Sequence, residues 1–108
     1  NIRKWLIEND WELIDETILE EDGKIYEILV AEKGNGSAPY SNETEKELLL
    51  GPFLIKTCSD VFRKKWTAES KHWKNIIQQL QASGKTDSSV EKEKQLRAYI
   101  TYVEEALS

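Results

Sequence analysis

The sequence predicts an α+β fragment. A helix and an antiparallel β-hairpin that call for a larger sheet come first, and an antiparallel, coiled-coil-like helical hairpin follows. Three observations carry that reading. Asp22-Gly23 separates two apolar runs, and Gly tolerates the positive φ of a tight hairpin turn. The second run, Ile25 to Ala31, is nearly continuous in Ile, Leu, Val and Ala, the pattern of a strand covered on both faces. Beyond residue 59, two segments place apolar residues at alternating steps of four and three, the a/d stripe of a coiled coil.

The elements follow in order. Ile2, Trp5 and Leu6 stand at i, i+3 and i+4, so the chain opens in a helical pattern. Trp11 to Leu19 and Ile25 to Ala31 are the two strands, joined through Glu21-Asp22-Gly23-Lys24. A hairpin alone is marginal in water, so residues 1–33 read as the end of a domain whose front lies elsewhere. Gly34-Asn-Gly-Ser-Ala-Pro39 is rich in turn formers and marks a linker over 34–42. A helical extension over 43–108 begins with Glu43 to Leu50. Gly51-Pro52 then stops or kinks the helix, because Pro lacks the amide hydrogen and restricts the residue before it.

The helical hairpin spans about 59–83 and 88–107. Phe62, Trp66, Glu69, Trp73, Ile76 and Leu80 form its first stripe, with Glu69 as a polar interruption. Gly84 suits the end of that helix, and Ser88-Ser-Val-Glu91 reads as a capping box for the next. Leu96, Ile100, Val103 and Leu107 form the second stripe. Trp66 and Trp73 are therefore core knobs before they are stacking platforms for bases.

Composition narrows the function classes. The chain has 108 residues, 39% hydrophobic and 32% charged, enough for one small core or parts of two. No apolar run approaches the ~20 residues needed to span a bilayer, and no membrane association is expected. Cys58 stands alone and cannot form an intrachain disulfide, which fits a cytoplasmic location. Asn35-Gly-Ser37 and Asn42-Glu-Thr44 match the glycosylation pattern, which is short and common. His72 is the only histidine, so no His/Cys metal set can be assembled and no metal is expected. Cys58 and His72 would lie near 20 Å apart on one helix at ~1.5 Å per residue, too far for a nucleophilic pair. Asp10, Glu12, Asp15, Glu16, Glu20, Glu21 and Asp22 flank strands and turn, where solubility explains them. Glu27, an acid within the most apolar strand, reads as a rim residue facing solvent; a role in a site built mainly elsewhere is the alternative.

Charge divides along the chain. Residues 1–57 carry six Lys/Arg against thirteen Asp/Glu, net −7, and residues 58–108 carry nine against seven, net +2. Arg63, Lys64, Lys65, Lys71 and Lys74 share one helix with only Asp60 and Glu69. A basic helix after an acidic segment suits an anionic partner, although cations can also simply solvate an exposed face. The stripe directs most of Arg63, Lys64, Lys71 and Lys74 away from the second helix, with Lys65 adjoining the seam.

Helix, strand, tight turn, strand is also the order that closes the Rossmann-like sheet of class I S-adenosylmethionine-dependent methyltransferases. Asn1-Ile2-Arg3-Lys4-Trp5-Leu6, Asn9-Asp10-Trp11-Glu12-Leu13-Ile14 and Lys24-Ile25-Tyr26-Glu27-Ile28-Leu29-Val30-Ala31-Glu32 carry a closer likeness. They resemble the end of the bacterial tRNA (adenine(22)-N1)-methyltransferase family. Leu49-Leu50-Gly51-Pro52-Phe53-Leu54, with Phe62-Arg63-Lys64-Lys65-Trp66 after it, resembles that family's junction with its C-terminal helical hairpin.

The resemblance implies that residues 1–33 close the methyltransferase domain. S-adenosyl-L-methionine and the chemistry would then belong to an N-terminal half outside these residues. Neither a Gly-rich loop after a first strand nor an acid closing a second is present, so no catalytic or cofactor-binding residue is expected here and the chain alone should be inactive. It also implies tRNA as partner, with Arg3, Lys4, Lys56, Arg63, Lys64, Lys65, Lys71 and Lys74 as candidate contacts. Contacts to phosphate would position the RNA while its shape and unstacked bases carry recognition. An uncovered strand edge would promote self-association. The competing reading is a non-enzymatic module whose helical hairpin binds another protein and whose strands dock on a partner's sheet.

Overall fold

The computed structural model describes all of residues 1–108. Its elements are α1 (Ile2–Glu8), β1 (Trp11–Glu21), β2 (Lys24–Lys33), α2 (Thr44–Leu50), α3 (Pro52–Thr57), α4 (Asp60–Ala82) and α5 (Asp87–Leu107). They group into two compact units, residues 1–62 and residues 63–108. The expected linker over 34–42 lies inside the first unit, as do α2 and α3. No helix is long and apolar enough to cross a membrane.

In the first unit Asp22 and Gly23 both take positive φ, 53° and 78°, the two-residue turn whose twist matches that of paired strands. Glu21 faces Lys24 and the antiparallel ladder runs on to Trp11 opposite Lys33. The register shifts between Leu13 and Asp15, leaving Ile14 as the extra residue of a bulge. Side chains alternate along a strand, so residues three apart ordinarily face opposite ways. The bulge puts Leu13 and Glu16 on the same face, and both are buried.

The second strand carries the apolar run of a strand covered on both faces, in a hairpin expected to call for a larger sheet. In β2 half-buried residues alternate with exposed ones, and none is fully buried. Tyr26, Ile28 and Val30 stand exposed on the same side of β2, a side that no other element covers.

The inner face is closed by α1, α2 and α3, with Leu6, Leu13, Leu50, Leu54 and Phe62 in the core. Gly36 shows why 34–42 is no loose tether. It is buried, and a Cβ there would lie 2.7 Å from the Cα of Ile7. Gly51, at φ +102°, makes the corner between α2 and α3, and Pro52 takes the first helical position beyond it.

In the second unit, α5 returns antiparallel to α4. The Arg63 guanidinium donates to the Leu107 carbonyl at 3.0 Å, and the Trp73 and Tyr99 rings are centred 5.5 Å apart. Leu96, Ile100 and Val103 are buried as their stripe foretold. On α4 the seam has shifted: Trp66, Ser70, Trp73 and Ile77 are buried, while Glu69, Ile76 and Leu80 are half-exposed. An undistorted helix drifts about 20° per heptad against a 3.5-residue repeat, which carries the buried line from Glu69 to Ser70 and from Ile76 to Ile77. The small hydroxyl of Ser70 thus replaces the expected carboxylate in the seam. The capping box also sits two residues earlier than expected. Thr86 accepts from the Ser89 amide at 3.1 Å, and Ser89 accepts from the Thr86 amide at 2.9 Å.

Candidate functional site

Two features stand out chemically: a buried charge cluster in the first unit and a basic arc in the second. Arg3 lies on α1 and is 7% exposed. Its Nε meets Glu16 Oε2 at 2.7 Å, and its Nη2 meets Glu27 Oε1 at 2.9 Å. Glu16 and Glu27 can share one cation because β1 and β2 pair Ile18 with Glu27 and Glu16 with Leu29, one step along the same face. The other oxygen of Glu16 accepts from the amides of Phe53 and Leu54, at 2.9 and 3.3 Å. Those amides begin α3, where the preceding Gly51 has no side chain to cap them. A Cβ on Gly51 would come within 2.7 Å of Glu16 Oε1 and 2.8 Å of Arg3 Nη2, so glycine is what lets the cluster close.

This arrangement corrects three expectations. Arg3, a candidate tRNA contact, is enclosed by two carboxylates and cannot present its guanidinium to a phosphate. Glu27 is neither at a solvated rim nor idle, since it pairs with Arg3. Glu16, grouped with the solubilising acids, has a side chain with no exposure. The signal that could have found Glu16 was weak, since only the bulge at Ile14 turns it inward. Nearby, the enclosed Tyr40 hydroxyl meets no hydrogen-bond partner within the protein. Burial pushes its phenol up to about 12; Arg3 pulls against that shift, and Glu16 and Glu47 add to it.

The remaining candidates lie at the surface. Lys4 is exposed on α1, and Lys56 is exposed near the end of α3, its Nζ 5.9 Å from the Phe53 ring centre. On α4, at about 100° per residue, Arg63, Lys64, Lys71 and Lys74 fall within an arc of about 100° whose centre is roughly 120° from the Trp66 and Trp73 side, with Arg63 at its near edge. All four are exposed. Lys65 sits on the other flank with its Nζ 4.6 Å from the Trp66 ring centre.

Most of the arc was expected to point away from α5, yet Arg63, Lys71 and Lys74 all lie beside that helix. Arg63 reaches the Leu107 carbonyl. Lys71 and Lys74 line a groove of about 390 Å³ beside Val103 and Glu104. A neighbouring groove of about 530 Å³ adds Arg97 to Lys74 and Glu104. Lys71 and Lys74 of α4 thus border these grooves together with the Glu104 carboxylate, while Arg97 of α5 is paired with Glu93 at 2.9 Å. His72 is exposed, and no group of three or more His, Cys, Asp or Glu side chains forms a metal site.

Comparison with known proteins completes the picture. The profile of the family TrmK, tRNA (adenine(22)-N(1))-methyltransferase, matches residues 1–105. The Bacillus subtilis tRNA (adenine(22)-N(1))-methyltransferase is 42% identical over 108 residues, covering 99% of this chain and 45% of that protein. The crystal structure of the B. subtilis M1A22 tRNA methyltransferase TrmK superposes with a TM-score of 0.90 at 42% identity, over 99% of this chain and 46% of that one. A Streptococcus pneumoniae candidate tRNA (m1A22) methyltransferase, solved in complex with S-adenosyl-L-methionine, gives a TM-score of 0.76 at 31% identity, over 99% and 42% of the two chains. The chain spans a little under half the length of these relatives.

Proposed function

The chain belongs to the tRNA (adenine(22)-N(1))-methyltransferase family, and from that premise we propose that it is the C-terminal part of such an enzyme, supplying grip on tRNA. The observation that carries the proposal is the basic arc of α4 in a chain matched to the family along nearly its whole length. Lys64, Lys71 and Lys74 contact tRNA phosphates, with Lys4, Lys56, Arg63 and Lys65 as further positions. Residues 1–33 close the sheet of the methyltransferase domain, a reading supported by the exposed apolar side of β2.

S-adenosyl-L-methionine does not fit the residues present. Nucleotide cofactors are held at the carboxyl ends of parallel strands beside helix N-termini, and here the two strands are antiparallel. The cofactor site and the chemistry belong to residues outside this chain, in the N-terminal half of the enzyme.

The test uses the complete enzyme carrying Lys64→Glu, Lys71→Glu and Lys74→Glu together. Surface changes of this kind usually cost under ~0.5 kcal/mol each, so folding and cofactor affinity should persist. Binding of tRNA should weaken, and its log–log dependence on salt should flatten by about one for each phosphate no longer neutralised. Unchanged affinity and an unchanged salt slope would remove α4 as the grip and favour a helix pair that binds protein instead.

A further inference from the structure

The Arg3–Glu16–Glu27 cluster joins three parts of the chain that are distant in sequence: α1, both strands, and the start of α3. It is expensive to bury, since each ion loses its hydration and only close pairing offsets that loss. Two carboxylates face one guanidinium, and the surplus negative charge lies against the amides of Phe53 and Leu54. Gly51 is held at φ +102° with no room for a side chain. A stack of aliphatic side chains would join sheet and helix at lower cost but could slide, whereas directional hydrogen bonds set one register.

We propose that Glu16 is a positioning residue: clamped by Arg3, it latches α3 to the sheet and so sets where α4 begins. Thr57 ends α3, and only Cys58, at φ 45°, and Ser59 intervene before Asp60 opens α4. The first turn of α4, through Phe62, belongs to the same compact unit as the latch. Phe62 is wholly buried, and its amide donates to Ser59 Oγ at 3.3 Å. The basic arc opens with the next residue, Arg63. The consequence for tRNA rests on the methyltransferase reading; the latch itself rests on the cluster.

The experiment compares three forms of the complete enzyme: unchanged, Glu16→Ala, and the triple reversal of Lys64, Lys71 and Lys74 to Glu. Hydrogen exchange is read at the Phe53 and Leu54 amides, and steady-state kinetics are read against tRNA. Glu16→Ala should speed exchange at both amides by at least about tenfold, as expected for a lost hydrogen bond to a charged group. It should also raise KM for tRNA by about tenfold while leaving kcat and KM for the cofactor in place, a split that mere loss of folded enzyme would not give.

Where Glu16→Ala does not fold, Glu16→Gln takes its place. It keeps an acceptor for the two amides and loses the charge facing Arg3, so a smaller rise in the same KM is expected. Unaltered exchange at Phe53 and Leu54, or open amides with an unaltered KM for tRNA, overturns the latch. If the lysine reversal raises KM and Glu16→Ala does not, the latch fails and the tRNA reading stands. If neither variant raises KM, both fail.

Discussion

Tyr40 carries a hydroxyl that is enclosed but unbonded, beside a guanidinium and two carboxylates. Burial disfavours the phenolate, so the folded protein holds this proton up to about 12, above the ordinary value of 10.0. Between those two values the unfolded chain has released the proton and the native chain has not. Stability is therefore unaffected below pH 10.0 and falls as pH rises toward 12. Tyr40→Phe should cost nothing or stabilise slightly at neutral pH, because an unsatisfied polar atom is removed at nearly constant shape. It should also remove one proton's worth of the alkaline decline, which denaturation midpoints measured across that range will show.

Arg3 marks what one dimension conceals. Beside Lys4 it reads as a cation awaiting an anion, and nothing local says which anion. Its partners are 13 and 24 residues away, and their inward aim depends on a bulge and a register that only pairing creates.

At the scale of elements, periodic signals survived best. The turn at Asp22-Gly23, the corner at Gly51-Pro52 and the stripes of α4 and α5 were all legible, since each follows from local backbone chemistry or from the repeat of a helix. What shifted was phase. Over 23 residues of α4 the drift of a 3.6-residue helix against a 3.5-residue stripe suffices to exchange Glu69 for Ser70. Trp66 stays buried under either phase, its ring 6.1 Å from Trp73. Trp66→Ala should accordingly destabilise by ~3–5 kcal/mol in chemical denaturation, as other large core truncations do, without changing charge on the basic arc. The cap at Thr86 was missed by two residues because Ser88, Ser89 and Thr86 are all competent cap formers, and only the chain's path selects among them.

For the molecule as a whole, the acidic first unit and the basic arc of the second are expected to do different work. The first presents exposed apolar side chains at Tyr26, Ile28 and Val30 on one side of its second strand. The second presents cations on a helix pair. The family was readable from residue order, because the wording around the hairpin and the Gly-Pro corner resembles one family and the match extends over residues 1–105. Where the compact units divide was not readable. The turn-rich stretch at 34–42 has the composition of a linker, yet the close approach of Gly36 to Ile7 binds it into the first unit. The most direct test of the account is calorimetric titration of the 108-residue chain itself, with tRNA and, separately, with S-adenosyl-L-methionine. The account predicts saturable tRNA binding that weakens steeply as salt rises, and no heat from the cofactor. Saturable cofactor binding at about micromolar strength, or tRNA binding indifferent to salt, would contradict it.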